Sequence, residues 1–431
     1  MAAFEILSRV DSGSFASVLL ASKHEETDSR DHALTYELVM GVLRWQLWLD
    51  HLIEHFTKRS AARLDLPVLI ALRLGLYQIR FLTRIPASAA VNESVNLVKR
   101  ARVRSAEGLV NAVLRRAVRE PVYDPASAIP DRLEKLSVST SHPAWLIERW
   151  VNAFGEAETE AFATANNLPA PLAFRIVNRA NESEILERLR FSGATVSSSI
   201  IVAGAWRLAG GSALLREFAQ TGQVYIQDEG SQLVGKAMEV AMGDRVLDVC
   251  AAPGSKATQM ARTFEGVRLV AGDLYEHRIH TLTEAARLQG IETIDGLVLD
   301  AGRSLPFVEA AFERVLVDVP CSGTGTLRHN PEIRWRISAE DIQELGRRQL
   351  QILLNSARMV KPGGRLIYST CSVESEENEA IVHAFLQSSD RFKRAPLKVH
   401  EALLTGSGAA RTWPHREGAD GFFIAAFTCN D

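Results

Sequence analysis

The sequence predicts a multidomain chain of three parts: an all-α bundle, a small α+β module, and a doubly wound α/β domain. Three observations carry this. Residues 1–120 repeat apolar side chains at helical spacing, as in "LTYELVMGVLRWQLWLDHLIEHF" and "LDLPVLIALRLGLYQIRFL". Residues 121–130, "PVYDPASAIP", hold three prolines and no helical period, which marks a linker. From about residue 236, six short apolar runs alternate with helical stretches, the pattern of a mostly parallel sheet.

The expected boundaries are 1–125 for the helical bundle, 135–235 for the connecting module and 236–431 for the α/β domain. A chain of 431 residues, 46% hydrophobic and 23% charged, has ample material for a core in each. The longest apolar stretch, "LPVLIALRLGLYQI", is interrupted by Arg73 and falls short of the ~20 residues that span a bilayer, so no membrane partner is expected. The start, "MAAFEILSRVDSG", lacks a basic segment followed by a continuous apolar one, so no signal peptide is expected either. Cys250, Cys321, Cys371 and Cys429 are widely spaced, with neither CxxC nor a Cys/His ligand pattern. Free thiols, no metal and a cytoplasmic location follow as expectations.

Net charge is −3, which excludes a uniformly basic nucleic-acid coat. The distribution is uneven. Residues 1–120 carry 17 Lys and Arg against 13 Asp and Glu, a net of +4, and the remainder carries 32 against 39, a net of −7. The basic residues Lys99, Arg100, Arg102, Arg104, Arg115, Arg116 and Arg119 cluster in 97–120, which suits either a phosphate backbone or a solvated helix face. Trp45 and Trp48 read as core. In the middle module "PLAFRIVNRA" and "GQVYIQDEG" read as strands, and "ESEILERLRFSG" as a helix ending at Gly193.

The six runs of the last domain are "RVLDVC" (245–250), "RLVAGDL" (268–274), "DGLVLD" (295–300), "RVLVDVP" (314–320), "RLIYSTC" (365–371) and "GFFIAAF" (421–427). Ser338 and Asp341 stand three apart before the longest helical stretch, as a capping box requires. In a doubly wound sheet the ligand sits at the carboxyl ends of the strands. Here those ends supply Asp248, Asp273, Asp300, Asp318 with Cys321, and Thr370 with Cys371. The loop "CAAPGSK" (Cys250, Ala251, Ala252, Pro253, Gly254, Ser255, Lys256) follows the first strand and opens a helix. Gly254 allows close backbone approach. The loop matches neither GxGxxG nor GxxxxGK[ST], which disfavours a dinucleotide or ATP. Asp273 is placed to bind ribose hydroxyls and Asp300 to reach an adenine amine, so a nucleoside without pyrophosphate fits.

"LDVCAAPGSKATQM", "DVPCSGTGTLRHNPEIRW" and "YSTCSVESEENE", in this order, resemble the RNA cytosine-5 methyltransferases that depend on S-adenosylmethionine. "IPASAAVNESVNLVKRA" and "GLVNAVLRRAV" resemble the NusB-like RNA-binding domain, and "SHPAWLIERW", "RIVNRA" and "GQVYIQDEGSQL" the module that joins it to the catalytic domain. Together they are similar to the bacterial 16S ribosomal RNA enzymes of that family.

The resemblance implies a Rossmann-like class I methyltransferase domain, S-adenosyl-L-methionine as cofactor, and 16S ribosomal RNA or a small-subunit assembly intermediate as partner, with the protein acting as a monomer. It implies Cys371 as nucleophile at carbon 6 of cytosine, Cys321 in adduct release, and Asp318 at the base. Cofactor contacts are expected from residues 250–256, Asp273, Asp300 and Asp318. Lys256 either neutralises the cofactor carboxylate or orients Asp318. The family usually has a second glycine at the position of Ser255, where a positive φ would strain the loop.

An ordinary thiol is only ~3% ionised at pH 7, so the site must lower that pKa or supply a base. Cys250 is expected to pack and give only its backbone, and Cys429 to be incidental. His329 and Arg334 either touch RNA or hold a loop, and Trp335 packs. "ESEENEA" is expected to open a helix with its acids at the positive end. The rival readings are a methyltransferase acting on an exocyclic amine, which needs no thiol; a tRNA or 23S ribosomal RNA cytosine-5 enzyme; and a non-catalytic RNA-binding assembly factor.

Overall fold

The computed structural model describes residues 1–22 and 29–430. Contacts group them into two compact units, Met1–Pro169 with Leu327–Arg336, and Ala170–Thr326 with Ile337–Asp431. The expected boundaries at 125–135 and 235 do not coincide with this division.

The first unit is helical: α1 (Ala2–Asp11), α2 (Ala16–Ser22), α3 (Ser29–Arg44), α4 (Gln46–Thr57), α5 (Leu66–Phe81), α6 (Ala87–Arg100), α7 (Glu107–Arg119), α8 (Arg132–Thr140), α9 (Ala144–Phe154) and α10 (Glu156–Asn166). Helix α5 buries every residue from Val68 to Tyr77, so it is central. Arg73 survives there because its guanidinium donates to both Asp50 carboxylate oxygens at 2.7 Å. Trp45 stacks on Phe81 at 5.0 Å with Trp48 edge-on at 6.2 Å, a packed aromatic cluster. In the basic cluster, Lys99 pairs with Glu107 and Arg116 with Glu120, while Arg100, Arg102, Arg104, Arg115 and Arg119 are exposed.

Arg334, read from the sequence as a possible RNA contact, is fully buried in this unit. It donates to Asn167 Oδ1 at 2.9 Å and to the Ser141 carbonyl at 3.1 Å. Burial, and then Arg44, pushes it down to about 9. A guanidinium so enclosed is a structural tie and is closed to RNA. Trp335 packs beside it and donates to the Leu43 carbonyl at 3.0 Å.

The second unit holds two sheets. β1 (Leu172–Ile176), α11 (Glu182–Phe191), β2 (Thr195–Ser198), β3 (Ala205–Ala209), α12 (Ser212–Gln220) and β4 (Val224–Ile226) form an antiparallel sheet of order β2-β3-β1-β4, a split βαβ arrangement. Helix α13 (Glu229–Ala237), N-capped by Asp228, leads into the second sheet.

That sheet is built from β5 (Arg245–Asp248), β6 (Arg268–Asp273), β7 (Ile294–Val298), β8 (Phe312–Asp318), β9 (Val360–Thr370), β10 (Phe392–Arg394), β11 (Ala410–Arg411) and β12 (Phe423–Cys429). Its order is β10-β12-β9-β8-β5-β6-β7, with β11 beside β12. The five strands from β9 to β7 pair in parallel, and β12 joins β9 antiparallel. The sixth apolar run is therefore an antiparallel addition to a doubly wound sheet.

The remaining helices are α14 (Ser255–Ala261), α15 (Glu276–Leu288), α16 (Ile333–Arg336, in the segment belonging to the first unit), α17 (Ala339–Ala357) and α18 (Glu379–Ser388). Helix α17 starts with the expected Ser338/Asp341 capping box. Both faces of the sheet are covered, since Leu247, Val315, Val317, Leu366 and Tyr368 enter one core and Val246, Leu316 and Ile367 another. That is why its strands read as continuous apolar runs.

Candidate active site

The chain order reverses between β5 and β8, which lie side by side while their connections run to opposite sides. A crevice opens at such a switch point. Here it is a cavity of about 310 Å³ whose lining includes Cys250, Ala252, Asp273, Asp300, Asp318, Cys321 and Cys371.

Its floor is the loop after β5. Asp248 is 1% exposed, and burial, then the charge of Asp318, raises its carboxyl to about 8. The Cys250 amide donates to Asp248 Oδ1 at 3.4 Å, and the Ala251 amide to the Gly272 carbonyl at 2.8 Å. The Ala252–Pro253 peptide is cis. Gly254 takes φ +103° and caps α14, and a Cβ there would press on Leu282. Ser255 is the first residue of α14 and is not among the residues of positive φ, so the serine carries no strain.

Asp273, 3% exposed at the end of β6, accepts from Arg278 at 3.2 Å and from the Tyr275 amide at 3.3 Å. Asp300 accepts from the Gly302 amide at 2.9 Å and pairs with Arg303 at 3.3 Å. Two carboxylates beside a glycine-bearing turn, with Leu274, Tyr275, Leu299 and Ile352 as apolar walls, fit a nucleoside-type cofactor such as S-adenosylmethionine.

At the other end of the cavity the strand register decides the geometry. Asp318 of β8 lies opposite Ser369 of β9. The Ser369 hydroxyl donates to Asp318 Oδ1 at 2.6 Å, and Lys256 Nζ meets Oδ2 at 2.7 Å. This contact is one of the two read for Lys256 from the sequence. Burial opposes its charge, but Asp318, then Asp248 and Cys371, raise its pKa above the ordinary value.

Cys321 and Cys371, three residues beyond Asp318 and two beyond Ser369, bring their sulfurs to 3.3 Å. The hydrogen bond with Cys371, then burial and nearby negative charge, pushes the Cys321 thiol well up. The two sulfurs thus share one hydrogen bond, in which either thiol can donate. The Cys250 thiol is also pushed up, by burial and then by Asp248. Cys429 is buried in β12, against Arg391.

Sequence reasoning missed the residue that ties the two thiol loops. Glu377 is fully buried. Its carboxylate accepts from the Ser322 amide at 2.8 Å, from Gln349 at 2.8 Å, and from the hydroxyls of Ser322 and Ser372. Ser322 and Ser372 directly follow Cys321 and Cys371. The stretch "ESEENEA" does lead into a helix, but α18 begins only at Glu379, which lies in its first turn, and Ser375–Glu377 before it is a 3-10 turn. Gly325 adds a second tie. Its amide donates to the Cys371 carbonyl at 2.9 Å, and a Cβ there would lie 2.0 Å from the Gly421 carbonyl oxygen. A serine opposite Asp318 could have been found by pairing the two runs in register, whereas nothing local marks Glu377.

Residues 236–428 match the family described as 16S rRNA methyltransferase RsmB/F, residues 1–119 the NusB family, and residues 142–214 the ferredoxin-like domain of RsmF/B-like methyltransferases. The chain is 34% identical to the probable ribosomal RNA small subunit methyltransferase B of Bacillus subtilis, over 96% of this chain and 94% of that one. It is 34% identical to ribosomal RNA small subunit methyltransferase B of Pseudomonas putida, over 94% and 92%. The crystal structure of PH0851 superposes with a TM-score of 0.83 at 27% identity, over 99% of this chain and 97% of that one. A methyltransferase homolog from Pyrococcus horikoshii has a TM-score of 0.60 at 24% identity, over 70% and 100%, and shares the fold. With motifs, fold and cavity agreeing across nearly its full length, the chain belongs to the RsmB/F family of S-adenosylmethionine-dependent small-subunit ribosomal RNA methyltransferases.

Proposed function

We propose that the protein methylates carbon 5 of one cytosine in 16S ribosomal RNA, free or in a partly assembled small subunit, through a covalent adduct between Cys371 and carbon 6. The observation that carries this is the 3.3 Å approach of the Cys321 and Cys371 sulfurs beside the Lys256–Asp318 pair. A methyltransferase acting on an amine needs no thiol, and here two thiols share one cavity.

Carbon 5 of cytosine is a weak nucleophile. Addition of the Cys371 thiolate to carbon 6 makes it enamine-like. The Cys321 sulfur, 3.3 Å away, stands within reach of Cys371 Sγ throughout. Asp318, fixed by Ser369 and Lys256, meets the base edge at N3, where a hydrogen bond or proton makes carbon 6 more electrophilic. S-adenosylmethionine, when bound, supplies an electrophilic methyl group; Asp273, Asp300 and the backbone of residues 250–255 would hold it. After methylation carbon 5 gives its proton to water or a base in the pocket, the electron pair re-forms the carbon 5–carbon 6 double bond, Cys371 Sγ leaves as thiolate, and Cys321 assists the departing sulfur. The target base must leave its stack to reach the cavity. We place this chemistry in the cytoplasm, performed by a single chain.

The test uses wild type, Cys371→Ala and Cys321→Ala with small-subunit ribosomal RNA and radiolabelled S-adenosylmethionine. Cys321→Ala is expected to accumulate a protein–RNA adduct on denaturing gels. Cys371→Ala is expected to form neither adduct nor 5-methylcytidine. Methylation by Cys371→Ala would overturn the assignment, and preferred methylation of tRNA or 23S ribosomal RNA would overturn the substrate.

A further inference from the structure

A second cavity, of about 440 Å³, lies where the antiparallel β1–β4 module meets α13 and α14. Its charged lining is lopsided: Arg175, Arg179, Lys236 and Arg262 against the single carboxylate Glu182. Arg175 is only 6% exposed, yet all its hydrogen bonds go to neutral groups: Gln227 Oε1 at 3.1 Å, Thr258 Oγ1 at 2.7 Å, Gln289 Oε1 at 3.2 Å and the Ser255 carbonyl at 3.4 Å. Its one further charge-stabilising contact is the Tyr225 ring, 4.9 Å away.

Arg179 and Lys236 are exposed, and among the described residues neither has a carboxylate partner. Burial and the neighbouring Arg179 and Arg175 push Lys236 down. Like charges gathered around a concave surface, one of them buried without a counter-ion, are costly unless an anion joins them. Nothing in the Cys321/Cys371 chemistry uses this cavity.

We propose that this cavity takes a phosphodiester group of the substrate RNA, with Arg179 and Lys236 as direct contacts and Arg175 holding the floor positively charged. The proposal rests on the RNA methyltransferase reading above. It makes the small module a contributor to RNA affinity that is independent of the basic cluster at 97–120.

The test is filter binding of full-length protein to small-subunit ribosomal RNA across a salt series. The variants are Arg179→Ala/Lys236→Ala, Glu182→Gln, and a charge control, Arg268→Ala/Arg287→Ala, two exposed arginines outside the cavity lining. The cavity double variant is expected to lose about tenfold in affinity at ~0.1 M salt and about one unit of the salt slope. Glu182→Gln should bind more tightly, the charge control should lose much less, and S-adenosylmethionine affinity should stay as in wild type. Unchanged RNA affinity and slope in the cavity variant would overturn the proposal. So would unchanged RNA binding alongside loss of pyrophosphate-induced thermal stabilisation, because the site would then serve a free phosphate ligand. Wild-type protein with no affinity for the RNA would overturn the functional reading as well.

Discussion

The sulfurs of Cys321 and Cys371 lie 3.3 Å apart although fifty positions separate them in the chain. The parallel pairing of β8 with β9, with Asp318 opposite Ser369, carries both loops to one spot. An oxidant such as diamide should therefore join this pair in preference to Cys250 or Cys429. Peptide mapping should find a Cys321–Cys371 disulfide, with methylation lost and then restored by dithiothreitol. Modification of Cys250 ahead of the pair would contradict the arrangement.

Glu377 holds both thiol loops from below, through Ser322 and Ser372. Replacing it with glutamine keeps the size but removes the charge and places a donor among donors. Hydrogen bonds to a charged group are each worth about 1.5–3 kcal/mol. Glu377→Gln should lower the melting temperature by several degrees, and it should reduce kcat far more than S-adenosylmethionine affinity. Slower trapping of the two thiols by a short bifunctional reagent would show that thiol placement is what suffers. A variant with wild-type kcat would remove Glu377 from any positioning role.

Lys256 and Asp318 form a largely enclosed pair at 2.7 Å, with side-chain exposures of 10% and 21%. Removing one partner of such a pair leaves a buried charge uncompensated, at about 3 kcal/mol or more. Lys256→Met should be less stable to urea than Lys256→Met/Asp318→Asn, in which neither charge remains. The raised pKa of Lys256 adds a sign: this stabilisation is complete below about pH 10.4, the unfolded value, and is lost as pH rises through the higher folded value. Wild type should lose stability in that alkaline range more steeply than the double variant, and parallel curves would refute the pairing as a source of stability.

Asp248 works in the opposite sense to a salt-bridged acid. Burial, then Asp318, raises its pKa to about 8, so the folded protein binds this proton more tightly than the unfolded chain does. Its contribution to stability is therefore greatest below about pH 4 and is lost as pH rises towards 8. Asp248→Asn should flatten the stability–pH curve across that window. An unchanged curve by urea titration at several pH values would exclude Asp248 as its origin.

The sequence by itself determined much of the framework. Helical periodicity announced the bundle, six apolar runs announced the sheet, and Ser338 with Asp341 announced the start of α17, because each of these is a local pattern. It also set the acids and thiols at the ends of the strands, because a doubly wound sheet delivers every strand end to one rim.

Only the tertiary structure decided what those groups meet. Lys256 had two partners open to it, and the fold brings its ammonium to Asp318 at the end of β8. Arg334 sat in a polar, loop-like segment, but the contact that buries it lies far away in the chain, at Ser141 and Asn167. Glu377 lay in an acidic run with the look of a solvated helix start, and became the buried acceptor of four hydrogen bonds. The grouping of Leu327–Arg336 with Met1–Pro169 has the same cause. Local composition sets where a backbone turns, while side-chain contacts across long stretches of chain set which pieces share a core and which charges find partners.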